Sequence, residues 1–307
     1  MKRNFIDYLV LVVKGMAMGA ADLVPGVSGG TIAFISGIYE ELIQSLSNFN
    51  IALIKDLKTL GIGPVWKKIN GAFLLALFGG VSISLFSLSK LVSWLIKEKP
   101  IAIWSFFFGL VLASILFMIK KIKHWNIKTY SSFIIGTLVA YAITTIDVNT
   151  HSSGLLFLFF SGALAVCAMI LPGISGAFIL ILLGSYYNLL ESINGKDFVT
   201  ISVFILGALI GILSFSKLLK WLLDNYKTST LAVLTGFMAG ALVKIWPWKI
   251  VQSSRLNSKG ELVPFLEECV SPLSYDGDPK ISIALSLMFA GFILITVLEN
   301  IGTKSNE

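Results

Sequence analysis

The chain has 307 residues, 56% of them hydrophobic and only 13% charged, with a mean hydropathy of +0.86, which excludes an ordinary soluble globular domain. Its net charge of +7 comes from lysines placed between apolar runs, a pattern that sets orientation and attracts membrane lipids rather than nucleic acid. Two cysteines and two histidines give neither a disulfide framework nor a metal cluster, and no cofactor is expected.

In chain order, the N-terminus MKRNFIDYLVLVVKGMAMG puts basic residues before an apolar stretch and lacks a small-residue cleavage site, so it reads as retained. Residues 23–46, LVPGVSGGTIAFISGIYEELIQSL, are apolar but broken by a Pro-Gly-x-Ser-Gly turn. An amphipathic connector over residues 48–70 carries Lys55, Asp56, Lys58, Lys67 and Lys68. Spans are expected at 71–96, 101–119 and 131–146, the first two each about long enough for a ~30 Å hydrocarbon core. Residues 170–193, ILPGISGAFILILLGSYYNLLESI, then say the broken phrase again. Further spans are expected at 198–222, 229–246 and 281–298, with an irregular, proline-containing cap over 247–280.

The two phrases align without a gap. Pro25, Gly26, Ser28, Gly29, Gly37 and Tyr39 return as Pro172, Gly173, Ser175, Gly176, Gly184 and Tyr186. A weaker second match relates Gly80, Lys90 and Gly109 to Gly207, Lys217 and Gly236. The expected fold is an all-α polytopic membrane protein, a single membrane domain over 1–307, made of repeats at 1–147 and 154–299. Each repeat holds a broken, re-entrant helical hairpin followed by three transmembrane helices. Three crossings per half is an odd number, so the second half is inverted. Lys2, Arg3, Lys55, Lys120, Lys121, Lys220, Lys227 and Lys304 then fall on the cytoplasmic side with both termini, and the 247–280 loop falls outside. Paired interrupted helices in matching positions of two halves point to a transport site near the midplane, exposed to each leaflet in turn as the halves rock.

The turns suggest the chemistry. Pro25 and Pro172 donate no N–H, and Gly26 and Gly173 permit a tight reversal. Ser28, Gly29, Gly30 and Thr31, and Ser175 and Gly176, open the next helices, whose free N–H groups suit an anion. Lys14 and Asp22 precede the first turn by one helix face, about 12 Å apart, and Glu40 and Glu41 follow it. Ser161, Met169, Tyr187 and Asn188 stand at the matching places of the second half, so the charge is asymmetric while the backbone device is repeated. Intramembrane ionisable groups are costly and default to function. Lys14 becomes a candidate phosphate ligand with Ser28, Gly29, Gly30, Thr31, Ser175 and Gly176, and Asp22, Glu40 and Glu41 become candidates for proton coupling. Plainer readings are available: Lys14 snorkelling to the surface, Asp22 satisfying backbone donors at the turn, and the glutamates solvated. Lys90 and Lys217, close to span ends, are expected to snorkel. Trp66, Trp94, Trp125, Trp221, Trp246 and Trp248 are expected to form interfacial belts.

GMAMGAADLVPGVSGGTIAFISGIYEELI together with LPGISGAFILILLGSYY resembles the bacterial polyprenyl-phosphate transporter family, PopT, along essentially the whole chain. The resemblance implies return of undecaprenyl phosphate, the lipid carrier of cell-wall synthesis, from the outer to the inner leaflet of the bacterial cytoplasmic membrane. A small-anion transporter or channel is the alternative reading of the same parts. An enzyme is not expected, because no nucleophile–base pair, phosphatase motif or metal-ligand spacing is present. The coupling ion, oligomeric state and lipid length are not legible.

Overall fold

The computed structural model describes residues 3–24, 27–50, 52–145, 154–256 and 262–304. Pro25 and Gly26 of the first turn lie outside them, as do the ends of both the N- and C-terminal segments. The first half contains α1 (Phe5–Asp22), α2 (Gly29–Ile35), α3 (Tyr39–Ser47), α4 (Ala52–Leu60), α5 (Ile62–Lys68), α6 (Gly71–Glu98), α7 (Pro100–Lys121) and α8 (Ile127–Thr145). The second contains α9 (Leu155–Ile170), α10 (Gly176–Leu182), α11 (Ser185–Asn194), α12 (Phe198–Asn225), α13 (Lys227–Ala241) and α14 (Ile281–Lys304). Local chemistry sets the starts. Asn4 and Asp7 form a reciprocal capping box on α1. Pro100 occupies the first turn of α7, where its missing N–H costs nothing. The Asp197 carboxylate accepts from the Val199 and Thr200 amides at the head of α12.

Among the described residues, five helices are long and apolar enough to cross a membrane: α6, α7, α8, α12, and α13 with the 3-10 turn that extends it to Ile245. The sixth expected span, α14, is apolar over Ile281–Val297. The connector resolves into the short helices α4 and α5 rather than one amphipathic rod, because Gly61 interrupts it at φ 79°. The 247–280 cap departs from the all-α expectation. Its strands β1 (Lys249–Leu256) and β2 (Leu262–Cys269) pair antiparallel, with a register irregularity between Val251 and Ser254. Period-two alternation in this stretch was masked by its charges and by Pro264, which the outer edge of a two-stranded ribbon tolerates.

Each broken phrase folds into two short helices that follow a longer one, α2 and α3 after α1, and α10 and α11 after α9. Gly37 and Gly184 sit at the second break with φ of 74° and 71°, which explains why glycine recurs there: an L side chain would be strained in that region.

The long helices pair by glycine against carbonyl. A Cβ on Gly15 would fall 2.1 Å from Leu77 O, and one on Gly80 2.1 Å from Val12 O, so α1 and α6 touch backbone to backbone. The matching Gly162 and Gly207 do the same against Phe204 O and Phe159 O, joining α9 to α12. The other pairs cross between halves. Gly109 and Gly291 abut Met288 O and Phe106 O between α7 and α14, and Gly236 and Gly136 abut Phe133 O and Val233 O between α13 and α8. Exchanging the halves carries each of these contacts onto its counterpart. Such close approach maximises dispersion contact where lipid offers no hydrophobic drive. At the helix ends, Arg3, Glu41 and Asn70 meet in one place, and Ile101, Trp248 and Ala284 in another.

Candidate functional site

The two phrases meet. Ser28 caps α2 by accepting from the Gly30 amide at 3.1 Å, and its hydroxyl lies 3.2 and 3.3 Å from the carbonyls of Met169 and Leu171 at the end of α9. The Gly173 amide donates to Thr31 Oγ1 at 2.8 Å. Ser28 and Thr31 are each 1% exposed, so these bonds are made without competing water and matter more than surface ones. Gly30 is dictated by this junction, since a Cβ there would stand 2.5 Å from Ile170 O.

The depth of the junction follows from its neighbour. Gly173 packs on α13, where its Cβ would lie 2.8 Å from Phe237 O. The span from Lys227 to Ile245 has 19 residues, about 28 Å, and Phe237 stands about 15 Å along it. The junction therefore lies halfway along a membrane-spanning helix, where unsatisfied backbone is least tolerable.

The first helix end is closed by its own chain. Asp22 Oδ1 accepts from the Gly29 amide at 2.6 Å, which realises the plainer reading of Asp22. Gly29 is required for it, because a Cβ would fall 2.5 Å from Asp22 Oδ2. With Ser28 on the Gly30 amide, the donors expected to face an anion are occupied. The second end differs: Ser175 makes no side-chain cap to α10, and Met169 stands where the first half has Asp22. Gly176 is held against Ala165 O, 2.5 Å from a built Cβ.

The remaining charged candidates are dispersed. Lys14 Nζ donates to Ser36 O at 2.7 Å, at the far end of α2 from Gly29, because α2 runs back along α1. It is thus separated from Ser28 and Thr31 by the length of α2. There it complements the negative end of that helix. Glu41 accepts from both terminal Arg3 nitrogens, Nη1 to Oε1 at 2.6 Å and Nη2 to Oε2 at 2.5 Å, and from Asn70 at 2.7 Å. Glu40 pairs with Lys227 at 2.8 Å, linking α3 to α13 with both side chains more than half exposed. It lines a cavity of about 270 Å³ with Ile43, Gln44, Lys220, Leu223 and Asp224. Of the three coupling candidates, Asp22 alone has no cation against it among the described residues. Lys90 and Lys217 are exposed, as snorkelling requires.

A second charged cluster was not legible. Lys249 and Lys244 share Glu267 beneath the β-hairpin, at 3.2 and 3.7 Å from Oε2. Burial, only partly offset by Glu267, lowers the Lys249 pKa from its ordinary value. Trp246 and Trp248 are part of this cap rather than of a lipid belt: their indole N–H groups donate to Val270 O at 2.9 Å and Pro279 O at 2.8 Å. Trp66, Trp94 and Trp221 do remain exposed. Among the described residues no group of His, Cys, Asp and Glu could hold a metal ion.

Glycine-locked helices around a buried junction of two broken ones define a polytopic helical membrane protein. Residues 18–263 match the VCA0040-like family, described as undecaprenyl phosphate translocase-like, and the chain belongs to that family. It is 46% identical over 303 residues, 97% of this chain and 98% of the relative, to a polyprenyl-phosphate transporter of Vibrio cholerae serotype O1. It is 31% identical over 254 residues, 77% of this chain and 85% of the relative, to a polyprenyl-phosphate transporter of Staphylococcus aureus. No solved structure matches the chain. The family and these relatives are transport proteins, and this chain is a membrane transporter rather than an enzyme.

Proposed function

We propose that this protein carries undecaprenyl phosphate across the bacterial cytoplasmic membrane, returning it from the outer to the inner leaflet. The observation that carries the reading is the bond between Gly173 and Thr31: it joins two broken helices midway along a span, the arrangement transporters use to bind substrate. The names of the two relatives support a polyprenyl phosphate as the cargo.

The head group docks at this junction, on the side of Ser175 and Gly176, where no side-chain cap competes. Ser28, Gly29, Gly30 and Thr31 form the opposing wall and open to the substrate when Asp22 leaves Gly29. Asp22 is the coupling group: protonation removes its charge from the Gly29 amide as the phosphate arrives. Lys14 attracts the head group from a distance rather than by contact. The isoprenoid tail stays in lipid.

The halves are inverted repeats with re-entrant hairpins. Support comes from the glycine–carbonyl contacts, which exchange with the halves, and from the grouping of helix ends. Lys227, expected inside, pairs with Glu40 of the first hairpin, and Ile101, Trp248 and Ala284, all at ends expected outside, share one cluster.

The test is leaflet exchange of labelled undecaprenyl phosphate in liposomes holding the purified protein, with phosphate and chloride flux recorded in parallel. Lipid exchange without ion leak is expected. Anion flux without lipid exchange would replace this reading with a small-anion pathway.

A further inference from the structure

The cluster under the β-hairpin holds one more positive charge than it needs. Lys249 Nζ donates to Lys244 O at 3.0 Å and to Glu267 Oε2 at 3.2 Å, and stands 4.1 Å from the centre of the Trp104 ring. Lys249 takes the nearer contact with Glu267, and Lys244 shares the same single carboxylate as a longer ion pair, so two cations face one anion. Lys244 Nζ is 3.7 Å from the same carboxylate oxygen, beyond hydrogen-bond range. Among the described residues it makes no side-chain hydrogen bond, although its side chain is only 20% exposed.

A lysine at the end of a span ordinarily extends its ammonium into water. Lys244 does not: its Nζ lies 5.2 Å from the centre of the Phe178 ring, on α10, two residues past Gly176. A cation over an aromatic face recovers only part of the hydration it loses when its N–H donors lack hydrogen-bond acceptors. An anion beside Lys244 would satisfy those donors and cancel the surplus charge. Lys244 follows Phe237 by seven residues, about 10 Å of helix, and Phe237 is the residue against which Gly173 packs. The surplus cation thus stands between the capped end of the molecule and the buried junction.

We propose that Lys244 is the residue that first binds the phosphate monoester on its way to the junction, with Phe178 and the Trp104 side of the cap shielding the contact from water. The ligand class is a phosphate monoester, carried by a lipid or free in solution. The proposal rests on the transport reading for its purpose, but binding at Lys244 is measurable without transport.

The experiment titrates labelled farnesyl phosphate, a short isoprenyl phosphate, against the intact protein in nanodiscs, with inorganic phosphate as competitor, and measures lipid exchange in liposomes alongside. Lys244→Gln should weaken binding about tenfold, the scale of one lost charge-assisted hydrogen bond. Lys244→Arg should restore most of it, which a packing role for the side chain would not require. Inorganic phosphate displacing the probe from wild type but not from Lys244→Gln identifies the phosphate group itself as what is read; failure to displace it, with the tenfold loss still present, assigns the site to lipid phosphates. Equal binding by wild type and Lys244→Gln overturns the proposal. Lysine-dependent binding without lipid exchange by wild type leaves the site standing and removes the transport reading instead.

Discussion

The Gly173 amide and the Thr31 hydroxyl, 142 residues apart in sequence, share a 2.8 Å hydrogen bond in the interior. The bond joins the turn of the second phrase to the first turn of α2, and Gly173 reaches it with left-handed backbone, φ 87°. Thr31→Val keeps the shape and removes the acceptor, leaving a buried N–H unpaired. A loss of about 1–3 kcal/mol is expected, seen as a lower unfolding temperature in detergent. Thr31→Ser should stay near wild type, and equal stability of the valine variant would show that the junction is held by packing alone.

Gly29 and Asp22 should behave as one unit. Gly29→Ala places its methyl 2.5 Å from Asp22 Oδ2 and should destabilise the wild type by roughly 1–3 kcal/mol. In an Asp22→Ala background the obstacle is gone, and the same change should cost less than about 0.5 kcal/mol, a coupling a double-mutant cycle measures directly. Asp22→Asn retains an oxygen for the Gly29 amide, so the fold should hold. Its transport, however, should lose any response to an imposed proton gradient.

The two neighbouring glutamates should part company. Glu40 and Lys227 are both more than half exposed, and Glu40→Gln should change stability by less than about 1 kcal/mol. Glu41 is half-buried and holds both Arg3 and Asn70. Glu41→Gln should cost roughly 1.5–3 kcal/mol, the range for hydrogen bonds to charged groups. Equal thermal shifts for the two variants would contradict the assignment.

Gly79 and Gly80 are adjacent yet opposite in surroundings. Nothing lies within 4 Å of a Cβ on Gly79, whereas one on Gly80 meets Val12 O at 2.1 Å. Gly79→Ala should be neutral or stabilising by up to about 1 kcal/mol, through helix propensity. Gly80→Ala must separate α1 from α6 and should lose at least about 1–3 kcal/mol. Thermal unfolding of the pair, read side by side, checks this. Gly109→Ala and Gly236→Ala, whose contacts exchange with the halves, should lose similar amounts.

Much of this was written in the repeated phrase. Its glycines recur because the same backbone angles recur, as Gly37 and Gly184 show, and Ser28 and Thr31, singled out by their place after the turn, are the residues that bond to the second phrase. The match from Gly80 to Gly207, weak as text, pairs two glycines that each face a carbonyl of the helix preceding the broken phrase, Val12 O and Phe159 O. Lys14 shows where reading by helix face stops. Its spacing from Asp22 was legible, but α2 runs back along α1 and delivers Lys14 to Ser36 instead of to the turn. Lys244 and Lys249 were less legible still. Their partners, Phe178, Glu267 and Trp104, come from distant segments, and a lysine at a span end carries no mark that separates it from a snorkelling one.

The crossing of α7 to α14 and α8 to α13 has a mechanical consequence. The seam in the sequence, between residues 145 and 154, is not a seam in the machine. Moving one half as a block would tear every glycine–carbonyl lock between α7 and α14 and between α8 and α13 at once, whereas α1–α6 and α9–α12 each pair within one half. Those two pairs, each formed within one half, rest against a woven frame to which both halves contribute, and the Thr31–Gly173 bond ties one to the other.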